Sequence, residues 1–300
     1  MRLSIRESAT FDWRRFVQAR LPLVGVGVIL VFVLLAACAP FIVSDPTEIE
    51  MRREQDGETI RPPFAPNSRN LFGTDQLGRD IFARVVYGLR TSLIVGLLVR
   101  GLSMAAGTML GLISGYFPKT VDDIIMRITD IMLAFPVILL AMTVTAVLGP
   151  GLLTVCLALA LVAWPDVARL VRGQVLAIRE QTYVEAARSI GAGNWRILLR
   201  HVLPNCMGPI IVAFSMGIPG AIMYEAGLSF FGFGIQPPTP SLGSIISDGR
   251  GYITVAPWYP GFPGVVLTLL VLSVNLVGDG LIDVMNPRGA KGSGNGQSSA

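Results

Sequence analysis

Residues 180–205 read EQTYVEAARSIGAGNWRILLRHVLPN, the longest polar interruption in the second half of an otherwise apolar chain. The stretch divides at Gly191 into two short helical pieces. In the first, Val184, Ala187 and Ile190 recur at helical spacing, while Glu185, Arg188 and Ser189 fall on other faces. In the second, Trp195, Leu198, Leu199 and Val202 form an apolar stripe beside Arg196 and Arg200. Gly191 and Gly193 permit the bend, because glycine accepts the backbone angles of a helix end. Pro204 marks the entry to the next apolar run. Two readings of this periodicity stand open: a docking element for something outside the membrane, or an amphipathic loop resting on lipid headgroups.

The composition around it selects the class. Hydrophobic residues make up 52% of the 300 and charged residues 15%, where a soluble chain keeps about a quarter of its residues charged. The chain is therefore read as an integral membrane protein. Its net charge of +4 fits loops facing anionic lipid, and nucleic acid is not implied. Cys38, Cys156 and Cys206 lie far apart with no CxxC or Cys/His grouping, and read as small buried apolar residues. There is no P-loop, HExxH, GxSxG or GxGxxG signature, and His201 is the single histidine. Nothing in the residues supplies an active site, a metal site or a bound cofactor.

Outward from residues 180–205, the apolar runs mark six spans. Span one is 21–43, too long for a signal-peptide core, and Arg2, Arg6, Arg14, Arg15 and Arg20 precede it, which holds the N-terminus inside. Residues 44–90 form a long outer segment, irregular at Pro62, Pro63 and Pro66. Its arginines run against the positive-inside rule, so the orientation rests on the other loops. Span two is 91–115, span three 124–148 with Pro136 inside it, and span four 152–171. The loop after span four carries Arg172, Arg179, Arg188, Arg196 and Arg200, which places it inside. Span five, 207–235, is expected to be interrupted at Gly217, Pro219 and Gly220, and span six is 262–277. The Gly/Ser-rich tail is expected to be disordered and cytoplasmic. The fold class is all-α: a polytopic membrane protein with six transmembrane helices and both ends inside. Residues 1–90 form an N-terminal segment with the first helix and outer loop, 91–287 a five-helix core, and 288–300 the tail.

Four features inside the spans invite a role. Gly107, Gly111 and Gly115 repeat every four residues and make one smooth helix face for close packing. Arg100 and Glu225 are charges near mid-bilayer, which cost several kcal/mol unless they face the bundle, water or a partner. Arg100 either snorkels to the outer headgroups or faces the pathway and attracts a substrate carboxylate. Glu225 is either a hydrogen-bonded helix contact or a residue lining the path. Pro219, beside it, marks a break that lines the path or a plain packing kink.

Glu185-Ala186-Ala187, then Gly191, then Leu203-Pro204 resembles the EAA loop of bacterial ABC importer permeases. His201, where that family has an apolar residue, is a departure. Residues 71–93, LFGTDQLGRDIFARVVYGLRTSL, resemble the GTDxxGRD stretch of the peptide and nickel branch, in the subunit conventionally lettered C. On their own these residues read as turn and cap chemistry ahead of an amphipathic stretch, 81–89, at the outer interface. The match extends through Gly115-Tyr116-Phe117, Met126-Arg127 with Asp130, Leu228-Ser229-Phe230, Pro237-Pro238 and Gly278-Asp279-Gly280. Departures are Leu242, where tryptophan is common, and Ile282, where arginine is common. The resemblance implies a subunit of the cytoplasmic (inner) membrane, without catalysis of its own, that forms half of a pathway for short peptides. It implies as partners a second homologous permease, two cytoplasmic ATPase subunits using ATP and Mg, an extracytoplasmic binding protein and membrane lipids. Glu185, Ala186, Ala187, Gly191, Leu203 and Pro204 would form the ATPase-coupling loop. A metal-chelate permease of the same family, or a secondary transporter driven by an ion gradient, are the alternatives.

Overall fold

An apolar chain without water around it must pair its own backbone groups, and this one does so almost entirely with helices. The computed structural model describes residues 20–55, 58–117 and 119–285; the arginine-rich N-terminus and the 288–300 tail lie outside them. The helices are α1 (Arg20–Ala37), α2 (Ala39–Ile42), α3 (Ile81–Tyr116), α4 (Lys119–Leu133), α5 (Val137–Leu148), α6 (Leu152–Arg179), α7 (Thr182–Ser189), α8 (Asn194–Ile197), α9 (Leu203–Phe230), α10 (Leu242–Gly249) and α11 (Trp258–Met285). A π-helical turn, Leu198–Val202, joins α8 to α9 without a break. A two-stranded antiparallel hairpin, β1 (Arg53–Gln55) and β2 (Glu58–Ile60), lies in the segment read as irregular.

Among the described residues, five helical runs are long and apolar enough to cross a membrane, and the α4–α5 pair makes a sixth crossing if it counts as one. That pair is bent by 91°. Pro136 is the reason: it cannot continue the helix from α4, and it stands as the N-cap residue of α5. Three further boundaries differ from the sequence reading. Residues 81–89 are no separate interfacial helix but the first turns of α3. The Asp80 carboxylate caps that helix, accepting from Phe82 N–H at 3.3 Å and Ala83 N–H at 3.2 Å, a cap worth about 1 kcal/mol. Burial pushes the Asp80 carboxyl above its usual range, against the hydrogen bonds from Ala83, Phe82 and Asn70. The expected interruption of span five is absent: α9 runs through Gly217, Pro219 and Gly220. A proline removes one N–H but keeps a helical φ, and membrane helices tolerate that loss where neighbours pack closely. Likewise α11 continues through Gly278-Asp279-Gly280 to Met285.

Helix α3, about 54 Å long at 1.5 Å per residue, is the spine. Its most extensive partner is α6, which it meets along the glycine face. A Cβ on Gly107 would stand 2.5 Å from Val167 Cβ, one on Gly111 2.6 Å from the Ala168 carbonyl, and one on Gly115 2.7 Å from Val175 Cβ. The pairing advances in step, so the two helices run parallel. The buried apolar side chains form three clusters: at one end around Ile81, Leu89, Ile222 and Tyr259, at the other around Leu112, Val171, Val184 and Ile197, and between them around Val99, Ala141, Leu159 and Leu228. Large apolar side chains such as Leu30, Leu97, Leu153, Leu161 and Val265 remain exposed along the helices, as suits surfaces facing lipid or another membrane subunit.

Candidate functional site

Helix α7 and the short α8 project from the end of the bundle where α3 finishes. Val184 and Ala187, three residues apart, are buried in the cluster that includes Ile197, Leu198 and Val202. The other face of α7 is open: Glu185, Ala186, Arg188, Ser189 and Gly191 are exposed, and Ile190 is 86% exposed. The chain leaves α7 through Gly191 at φ +82°. There Ala192 N–H donates to the Ala187 carbonyl at 3.1 Å and Gly191 N–H to the Arg188 carbonyl at 3.0 Å. This bond pair closes a helix with a left-handed residue after its end. Trp195, 59% exposed, lies with its ring 5.5 Å from that of Phe117, and Arg188 stands 5.9 Å from the Tyr116 ring centre. Leu203 and Pro204 form the first turn of α9. The residues of the two quoted motif halves thus sit at one end of the bundle, one part exposed and one part embedded.

Between α7 and the bundle lies a polar cleft of about 640 Å³, lined by Tyr116, Lys119, Arg172, Arg179, Glu185 and Arg188 among others. On its walls, Arg172 donates to both carboxylate oxygens of Asp122 at 2.5 and 2.6 Å. Ser114 Oγ donates to the same carboxylate at 2.5 Å. Arg179 Nη1 donates to the Gly115 carbonyl at 2.9 Å, satisfying an acceptor in the last turn of α3. Fixed bidentate geometry makes an Arg–carboxylate pair stronger than a single ion contact. Three helices, α3, α4 and α6, are therefore fastened together beside α7. The sequence showed acids at 122–123 and arginines nearby, but several arginines competed for them and nothing in the spacing chose Arg172.

The two intramembrane charges are placed as follows. Arg100 does not extend along the helix toward headgroups. Its Nε and Nη2 donate to the Ala213 carbonyl of α9 at 3.1 and 2.6 Å, and its guanidinium fills the notch over Gly217. Glu225 is fully buried and accepts from Ser229 Oγ one turn on at 2.7 Å, a hydrogen-bonded contact within α9. Pro219 is buried inside α9. At the opposite end from α7, the GTDxxGRD stretch is a knot: buried Asp75 accepts from Leu77 N–H and Arg79 N–H at 2.9 Å each, from Arg79 Nε at 2.6 Å, and from buried Arg84. Arg84 reaches Asp248 of α10 at 3.4 Å. Among the described residues, no group of three or more His, Cys, Asp or Glu side chains could hold a metal.

Residues 107–291 match the family described as binding-protein-dependent transport system inner membrane component. Residues 12–66 match the N-terminal TM domain of oligopeptide transport permease C. The dipeptide transport system permease protein DppC of Alkalihalophilus pseudofirmus is 42% identical, covering 94% of this chain and 91% of its own. DppC of Haemophilus influenzae is 42% identical over 92% of this chain and 93% of its own. The glutathione transport system permease protein GsiD of Pectobacterium atrosepticum is 41% identical over 95% and 93%. Among solved structures, a chain of the MetNI methionine ABC transporter in an inward facing conformation matches with a TM-score of 0.57 and 21% identity. The match covers 67% of this chain and 96% of that one, and at this identity it speaks to the fold alone.

Proposed function

Because the chain belongs to the family of binding-protein-dependent transport system inner membrane components, and is a permease subunit of an ABC importer, we propose that it forms half of a pathway for short peptides and takes its driving motion at α7. The chain is not itself an enzyme; hydrolysis belongs to a separate ATPase subunit. In this reading two ATPase subunits bind ATP and Mg on the cytoplasmic side, a second homologous permease completes the pathway, and a binding protein delivers the peptide from outside. The α7 end faces the cytoplasm and α10 faces outward, an orientation supported by Arg172, Arg179, Arg188, Arg196 and Arg200 gathered at the α7 end.

The observation that carries the coupling is the split character of α7. Val184 and Ala187 fix it to the bundle, while Glu185, Ala186 and Ile190 stand free for a partner. Exposed apolar side chains beside a charged one, on a short rigid helix, suit a groove on a soluble subunit. The packing of Val184 and Ala187 against the bundle and the unbroken run from α8 into α9 give a push at α7 two routes inward. The peptide class is favoured over a metal chelate because each relative named above is described as a dipeptide or glutathione permease.

Peptide uptake into vesicles containing the permease pair and both ATPases tests this. ATP should drive uptake, and an ion gradient without ATP should not. Uptake driven by the gradient alone would overturn the reading. Arg100 is proposed as a helix tie, since two of its donors are spent on Ala213. Arg100→Leu should then cost about 1.5–3 kcal/mol of stability and leave the preference for free over C-terminally amidated peptides unchanged. A selective loss of the free peptide would make Arg100 a substrate contact instead.

A further inference from the structure

One buried polar chain is not used by the coupling described above. Ser229 Oγ donates to Glu225 Oε1 at 2.7 Å, Ser241 Oγ lies 3.3 Å from Ser229 Oγ, and Ile235 N–H donates to Ser229 Oγ at 3.3 Å. Glu225, Ser229 and Ser241 are all buried. Ser241 is the N-cap of α10, in a reciprocal capping box with Ser244, so whatever holds Ser241 sets the start of α10. The cap helix then lies directly on α9: a Cβ on Gly243 would stand 2.6 Å from the Ala226 carbonyl. Ser247 Oγ donates to the Phe230 carbonyl at 2.8 Å. At its other end, α9 continues without a break through the π turn to α8, a helical run of 37 residues, Asn194–Phe230.

We propose that Glu225, Ser229 and Ser241 form a latch by which α9 positions the cap helix α10, so that displacement of α7 and α8 is delivered to the opposite end of the pathway. This rests on the reading that α7 receives the ATPase motion. That run reaches from α8 to the foot of α10, and the hydrogen-bonded contact at its end is discrete: made or broken. Ser92 of α3 also lies beside the Glu225 carboxyl, so the latch sits where α9 meets both α3 and α10. Glu225 is thus a positioning residue for transport and touches no substrate.

The test measures ATP hydrolysed per peptide taken up by the full reconstituted complex, with hydrolysis in the absence of binding protein as a second readout. Glu225→Ala should raise the ATP-to-peptide ratio about three- to tenfold, the range that residues along a coupled network produce. Glu225→Gln keeps an acceptor for Ser229 and should stay within about twofold of wild type. The double variant Ser229→Ala, Ser241→Ala leaves the carboxyl in place and should resemble Glu225→Ala; it decides the matter if Glu225→Ala fails to assemble. A merely structural role would lower the amount of complex and leave the ratio unchanged, and that result overturns the latch. So does Glu225→Gln as uncoupled as Glu225→Ala. Absence of ATP-driven uptake in the wild-type complex would instead remove the coupling reading beneath the latch, and the latch with it.

Discussion

Gly191→Val is expected to abolish most ATP-driven peptide uptake, by tenfold or more, while the chain still inserts and remains in the membrane. The obstacle is the backbone. Nothing lies within 4 Å of a Cβ built on Gly191, so there is room for the side chain, but the residue sits at φ +82°. That conformation costs an ordinary L-residue roughly 1–2 kcal/mol, and a β-branched one more. Valine would relax by leaving it, and the two bonds that close α7, Ala192 to Ala187 and Gly191 to Arg188, would go with it. The exit of the chain toward Trp195 would swing, and the exposed face of Glu185, Ala186 and Ile190 would lose its fixed relation to α8. Gly191→Asn, which tolerates the left-handed region far better, should retain much of the uptake. The measurements are uptake, ATP hydrolysis and membrane content in the same vesicles. Normal coupled uptake by Gly191→Val would make the loop a mere linker.

The second large effect concerns the α3–α6 seam. Gly111→Leu should strip the membrane of folded protein or lower its thermal midpoint in detergent by several degrees, whereas Gly101→Leu on the same helix should be silent. A Cβ on Gly111 meets the Ala168 carbonyl at 2.6 Å, Val171 Cβ at 2.8 Å and Arg172 N at 3.1 Å; a Cβ on Gly101 meets nothing within 4 Å. Two of those obstacles are backbone and cannot rotate away. Overpacking of this kind costs about 1–3 kcal/mol, and helices in lipid have no hydrophobic drive to hold them together once close packing is lost. Forcing the seam open would also pull Arg179 from the Gly115 carbonyl, since that bond crosses it. Equal stability of the two variants would refute this account of the seam.

Much of the architecture could be read from residue order because membrane helices announce themselves by length. The glycine stripe is legible as one face, since four residues make just over one turn; its partner, α6, is a tertiary choice that spacing does not encode. In the sequence, Pro219 and its flanking glycines suggest a break, yet α9 passes through them. A proline forbids one hydrogen bond, and whether a helix bends there depends on the neighbours. Pro136 does end a helix, and the residue type alone does not separate the two. The depth of Arg100 points toward headgroups or pathway, and its acceptor is a backbone carbonyl 113 positions away. Asp75 looked like turn chemistry and is that, but it also carries Arg84 and through it α10. In each case the residue's chemistry was visible and its partner was not.

The central claim is that energy enters through the exposed face of α7. A photo-crosslinking side chain at Ile190, 86% exposed on that face, and another at Val255, 73% exposed beyond α10, test it directly in the assembled complex. Ile190 should capture an ATPase subunit, with a yield that changes when ATP is added, and Val255 should capture none. Capture of the ATPase from Val255, or no nucleotide-sensitive capture from Ile190, would contradict the account.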